Sequence, residues 1–174
     1  MKLLILLFFI SINITASKFT KMAEAEFKTL ISKDISFKMK KYKIPKSLKN
    51  EIQKKAKQRF YKKWLYFWKI KDKNNKIYYS FVDNVMGKQY PITFMVVFDD
   101  KANIIFSKIL KYRNSKGMVL KNSSWLKQFL NKNSKSSFVL DKDIDGVSGA
   151  TISSKALTKG FHKLSILISK IIKK

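Results

Sequence analysis

Residues 91–112, PITFMVVFDDKANIIFSKILKY, hold two apolar runs separated by a polar turn. Pro91 to Phe98 is dense in β-branched and aromatic residues, DDKAN has the composition of a turn, and the apolar pattern resumes from Ile104 to Tyr112. Two such runs flanking a turn read as a β-hairpin, although the strong Asn-Gly turn signal is absent. Upstream, Trp64, Tyr66 and Trp68 alternate, as do Ile77, Tyr79 and Phe81. That is the period of half-buried strands, and it assigns these aromatics to a core. The competing use for three tryptophans among lysines is a base-stacking platform.

Before Trp64 the period is four. Leu48, Ile52, Ala56 and Phe60 share one helix face, with Ser47 as the expected N-cap. Lys54, Lys55, Lys57, Lys62 and Lys63 occupy the opposite face and read as solvated. Residues 17–45 are basic and weakly patterned, with a short helix expected around Ala23 to Ile31. Past the hairpin, Asn122-Ser123-Ser124 opens a helix whose apolar face is Trp125, Leu126, Phe129 and Leu130, and residues 131–140 read as loop. A final helix is expected from about Ser153, burying Leu157, Phe161, Leu164, Ile168 and Ile171. Helices outside a run of antiparallel strands define an α+β fold, an antiparallel curved sheet flanked by helices. The expected division is a leader over 1–16, a basic helical segment over 17–63 and the main domain over 64–174.

The 174 residues, 45% hydrophobic, suit one domain with a real core. The 38 Lys and Arg against 11 Asp and Glu, formally +27, would suit a polyanionic partner such as nucleic acid, an anionic membrane face or an acidic protein. The lysines are spread along the whole chain with many Ile, Asn and Phe, a pattern that genome composition also produces, so the charge carries little functional weight. Met1-Lys2, the apolar run Leu3 to Ile12 and the small-residue exit Ile14-Thr15-Ala16 follow the order of a secretory signal peptide. The expected location is therefore periplasmic or otherwise extracytoplasmic.

Several chemistries are excluded outright. The absence of cysteine removes disulfides, thiolate ligands, Cys nucleophiles and a lipid anchor on Cys. His162 is the only histidine, so neither a His-based triad nor a multi-histidine metal site can form. Asp141, Asp143 and Asp145 alternate, but no Glu closes a calcium loop, and no metal is expected. The dinucleotide and P-loop fingerprints are missing.

What remains is residues 145–154, DGVSGATISS. Gly149 permits a tight left-handed turn, Ala150 leaves space above the backbone, and Thr151 stands at the junction with the last helix. A phosphate there would meet the N–H groups around Ile152 to Ser154 and the positive end of the helix dipole.

This stretch resembles the signature of the FMN-binding domain family, found in subunits of the sodium-translocating quinone reductase, in related ferredoxin-oxidising complexes and in small exported flavoproteins. The similarity extends over roughly residues 77–165, through GKQYPITFMVVFDDKANIIFSKILKYRNSKG and WLKQF. It departs at Asn114, where an acid is common, and at FLNK (129–132), which replaces a more usual Phe-x-Gly-Lys. The resemblance implies FMN held covalently through a phosphoester on Thr151, with the attachment loop at the N-terminus of the C-terminal helix. It implies a flavin transferase, dependent on FAD and magnesium, that recognises Asp145 and Ser148 and activates the hydroxyl. Gly149, Ala150, Ile152, Ser153 and Ser154 would surround the phosphate, and Arg113 would lie near the ring. The expected role is an electron carrier between redox partner proteins, with peripheral membrane association compatible and no specific nucleic acid partner. The alternatives are a basic envelope or nucleic-acid-binding module without a redox cofactor, and an FMN-dependent reductase, for which no acid–base residue is identifiable.

Overall fold

A computed structural model describes residues 18–114 and 116–173. The expected leader lies outside these residues. Helix α1 covers residues 18–30 of the described chain. It is followed by β1 (Ile35–Lys43), α2 (Lys46–Ala56), β2 (Trp64–Asp72), β3 (Ile77–Met86), β4 (Pro91–Phe98), β5 (Ile104–Lys111), a 3-10 turn (Met118–Lys121), α3 (Ser123–Lys127) and α4 (Thr151–Ile172). The strands pair antiparallel in chain order, β1-β2-β3-β4-β5, so the fold is α+β with an open five-stranded meander.

The character of β4 explains the layering. Every residue after Pro91 in this strand is buried, because both sheet faces are covered. Ile92, Phe94, Val96 and Phe98 point into a core shared with α2, α3 and α4, whereas Met95 and Val97 join Trp68 and Ile70 beneath α1. A strand buried on both faces reads as a continuous apolar run, which is why PITFMVVF lacks alternation. Register shifts between Thr93 and Phe94 and between Val97 and Phe98 bend the β4–β5 pair.

The turns are closed by side chains where Asn-Gly is missing. In DDKAN, the Asp99 carboxylate accepts the Lys101 and Asn103 amide N–H groups at 2.9 and 2.7 Å, and Ala102 takes φ +66°. Asp72 does the same between β2 and β3, accepting from Asn74 and Lys76 at 2.8 and 2.9 Å. An Asx side chain substituting for the primed turn holds the register without glycine.

The helical segment expected over 17–63 is corrected: Ile35–Lys43 is a strand paired with β2 along its full length. Its Lys38, Lys40, Lys41 and Lys43 mask a period of two and protect an exposed sheet edge. Ser47 does not cap α2, since Pro45 stands at the N-cap without a side-chain hydrogen bond. Of the alternating aromatics on β2 only Trp68 is core, donating its indole N–H to Glu24 on α1. Trp64 and Tyr66 remain exposed, with Lys41 over both rings. Leu130 lies beyond the end of α3 and is exposed as well.

Helix α4 is seated on β3 and β4 by three features. Gly160 has no room for a side chain, since a Cβ there would stand 2.7 Å from Val85 Cγ1 and 3.1 Å from Phe94 Cζ. Phe161 meets Phe94 edge-on with ring centroids 4.9 Å apart. Lys163, fully buried, places Nζ 2.6 Å from Asp83 Oδ2 on β3, 3.3 Å from the Arg59 carbonyl oxygen, and over the Phe60 ring. Removing one member of such a pair leaves an uncompensated buried charge. Lys163→Met is therefore expected to cost about 3–5 kcal/mol, with most of that recovered in the Asp83→Leu/Lys163→Met double variant. Urea unfolding of the two variants checks this, and equal losses would contradict it.

Candidate functional site

Helix α4 begins at Thr151, two residues earlier than its apolar periodicity suggests, and no side chain caps it. The Ser154 N–H is engaged, donating to the Ala150 carbonyl at 2.9 Å, so the N–H groups before it in the first turn lack intrahelical partners. Ahead of the helix, Gly149 takes φ +72° and Ala150 is buried. Gly117 takes φ +89°, and a Cβ on it would lie 2.3 Å from Ala150 Cβ and 2.6 Å from Tyr112 Oη. Tyr112 donates its hydroxyl to the Lys116 carbonyl at 2.6 Å, closing the loop that follows β5. Two glycine-dependent turns are thus packed against each other beneath Thr151.

Thr151 itself is exposed. With Gly149, Ala150, Ile152 and Ser153 it lines a cavity of about 290 Å³, whose other wall is Lys88 and Gln89 from the β3–β4 turn, Asn114 and Lys116. Asn114 is only 6% exposed, and its Oδ1 accepts the Gln89 and Tyr90 N–H groups at 3.1 and 3.3 Å. Those two donors fix the amide orientation, leaving Nδ2 buried without a hydrogen-bond partner. A buried unpaired donor, two lysines and an uncapped helix N-terminus around one cavity suit an anion with several acceptor oxygens, such as a phosphate.

The remaining residues singled out in the sequence lie elsewhere. Asp145 and Ser148 line an adjoining depression of about 490 Å³ together with Trp125 and Gln128. Asp145 is held through its backbone, its N–H donating to Gln128 Oε1 at 2.8 Å and its carbonyl accepting the Trp125 indole N–H at 2.9 Å. Ser154 is buried under the helix start, with Oγ bonded to the Ala150 carbonyl, so its N–H and its hydroxyl are both directed away from the cavity. Arg113 is exposed next to Asn114 and lines neither space. Lys88, Gln89 and Lys116 were not expected at the site. Their signal was present in the GKQ and NSKG flanks of the hairpin, but only the folded sheet brings both flanks to the start of α4.

The alternating acids hold the loop together. Asp141 Oδ1 accepts the Gly146 N–H at 3.1 Å. Asp143 accepts from Ser137 Oγ and the Val139 N–H, and these bonds hold its carboxyl below the usual range.

On the other side of Thr151 lies a larger groove of about 670 Å³, between the end of α2, the 134–141 loop and the outer face of α4. His162 lies in its lining, stacked on Phe138 with centroids 4.8 Å apart and planes 13° from parallel. Burial, aided by repulsion from Lys55, lowers the His162 pKa from its ordinary value. Lys159 is lowered too, by burial first and then by Lys155 and Lys57.

The described residues thus build a phosphate-suited helix start on an antiparallel α+β sheet. Residues 87–165 match the model of the FMN-binding domain, the family whose signature the sequence resembles. The match begins at the β3–β4 turn and ends within α4, so it contains every wall of the cavity at Thr151, and it supports FMN binding. No curated protein matches the chain.

Two outcomes are expected. Gly117→Val should lower the melting temperature and disturb the Thr151 turn, because a β-branched residue is strained at φ +89° and has no room against Ala150. A melting temperature equal to the parent's would contradict this. Protonation of His162 favours the unfolded chain, whose histidine titrates near the ordinary value of about 6.5. Stability should therefore decline as the pH falls below about 6.5 and level off beneath the lowered folded value. Urea unfolding across that range should show a slope that His162→Gln flattens.

Proposed function

We propose that this chain is an exported flavoprotein that carries FMN through a phosphoester on Thr151 and passes electrons between membrane or extracytoplasmic redox partners. The observation that carries the reading is the position of Thr151. Its side chain belongs to the exposed first residue of an uncapped 22-residue helix, beside a cavity walled by Asn114, Lys88 and Lys116. Gly149 and Gly117 shape the turn that leaves this hydroxyl accessible.

In this reading the first-turn N–H groups of α4, the Asn114 amide and the two lysines hold the phosphate, while Thr151 supplies the oxygen of the ester. The export expectation drawn from residues 1–16 is consistent with attachment outside the cytoplasm by a flavin transferase using FAD and magnesium. Asp145 and Ser148, on the adjoining depression, form the surface by which that transferase would recognise its acceptor. Bound FMN supplies one- and two-electron transfer, which suits a relay between unlike partners.

Thr151→Ala tests the attachment point. Its side chain makes no capping bond, so the substitution should change stability by no more than about 0.5 kcal/mol, as exposed positions usually do. After co-expression with an active transferase, intact mass should show the FMN increment on the parent and none on the variant, with matching thermal melts. Covalent flavin retained in Thr151→Ala, or absent from the parent when the same transferase loads another acceptor, would overturn the proposal.

A further inference from the structure

Strand β1 pairs with β2 from Ile35–Asp72 to Lys43–Trp64, whereas β3 meets β2 only from Phe67 to Lys71. The end of β1 and the start of β2 therefore form a two-stranded ribbon at one corner of the sheet. Alternation divides its side chains between two faces. Tyr42 and Leu65 pack against the main core, and on the opposite face Lys41, Lys43, Trp64 and Tyr66 stand exposed beside Met39. Helix α1 covers Trp68 and Ile70 on that face and leaves these residues bare. Exposed apolar side chains gathered in one place mark an interaction surface.

The chemistry of the ribbon narrows the partner. The indole N–H groups of Trp68 and Trp125 are engaged, by Glu24 and by the Asp145 carbonyl, but among the described residues neither the Trp64 indole N–H nor the Tyr66 hydroxyl has a hydrogen-bond partner. Lys41 Nζ lies 4.5 Å from the centre of the Trp64 ring and 5.9 Å from that of Tyr66. A cation seated there takes the place that a stacked base would need, which argues against single-stranded nucleic acid. The charge is one-sided: from Ile35 to Lys71 the sole acid is Glu51, on α2, and its carboxylate is paired with Lys170. Aromatic rings with free polar ends, flanked by lysines on flexible stems, suit the boundary between acyl chains and headgroup phosphates.

We propose that this ribbon docks the protein on an anionic lipid bilayer, with Trp64 and Tyr66 entering the headgroup boundary and Lys41 and Lys43 meeting lipid phosphates. Apolar contact and charge act together on such a surface, so neither a neutral bilayer nor a soluble anion satisfies it. The docking involves no residue of the Thr151 cavity and is independent of FMN.

The test titrates the chain from Ser17 to Lys174, which retains every described residue, against two kinds of vesicle at physiological salt. One is phosphatidylcholine alone, the other phosphatidylcholine and phosphatidylglycerol in equal parts, with co-sedimentation and tryptophan emission as readouts. The parent should bind the anionic vesicles with a blue-shifted emission and leave the neutral ones unbound. Trp64→Phe should keep the binding and lose the shift, because Trp68 and Trp125 are buried in the free protein already. Trp64→Ala/Tyr66→Ala and Lys41→Gln/Lys43→Gln should each weaken binding by about tenfold or more, with thermal melts confirming the fold. Lys28→Gln/Lys33→Gln removes the same charge from exposed positions around the end of α1 and should leave the affinity within about twofold of the parent's. An equal loss in that control pair would assign binding to overall charge and overturn the ribbon. Equal binding to both vesicles, or to neither, would overturn it too. Single-stranded DNA bound more tightly than the vesicles, and lost in Trp64→Ala/Tyr66→Ala, would overturn it in favour of nucleic acid.

Discussion

The seating of α4 on β3 and β4 is the constraint on which the site depends. Gly160 brings the helix close to Val85 and Phe94, Phe161 interlocks with Phe94, and the buried Lys163–Asp83 pair fixes how far along the sheet the helix sits. Close-packed apolar side chains resist large displacements but are forgiving of small shifts. A buried lysine with one acceptor carboxylate is not, since any displacement leaves a charge unpaired in the core. With Lys163 held at Asp83, the start of α4 is carried to the end of the sheet where the β3–β4 turn and the end of β5 also lie.

At that end the chain combines strain with an unmet polar demand. Gly117 and Gly149 occupy left-handed backbone, and Ala150 fills the space that Gly117 leaves empty. Asn114 closes the β3–β4 turn with its oxygen, while its nitrogen stays buried and unpaired close to Gly87. Folded proteins seldom leave a buried donor unsatisfied.

The large positive charge has no single explanation. Much of it is spread over solvated faces, as on the exposed lysines of β1, where it protects a sheet edge. Around Thr151 it is arranged otherwise: Lys88 and Lys116 flank one side and Lys155 and Lys159 line the other. Composition is the same in both places, and only the local geometry separates a solvated lysine from one that faces a cavity.

The sequence by itself determined the elements with strong periodicity. The hairpin at 91–112, the alternation at 77–81, the α2 face through Ile52 and Ala56 and the α4 face through Leu157, Phe161, Leu164 and Ile168 all follow from which residues water rejects. The DGVSGATISS turn was legible for a similar reason, because glycine and hydroxyls before a helix have few other uses. The reading failed where burial depends on neighbours distant in the chain. Strand β1 was hidden by lysines that suit an edge, and Trp64 and Tyr66 looked like core because nothing local reveals which part of β2 the helix α1 covers. The wall formed by Lys88, Gln89, Asn114 and Lys116 was likewise a tertiary matter. Those residues flank the two strands of a hairpin, and only antiparallel pairing, with α4 locked by Lys163 and Gly160, brings them to Thr151.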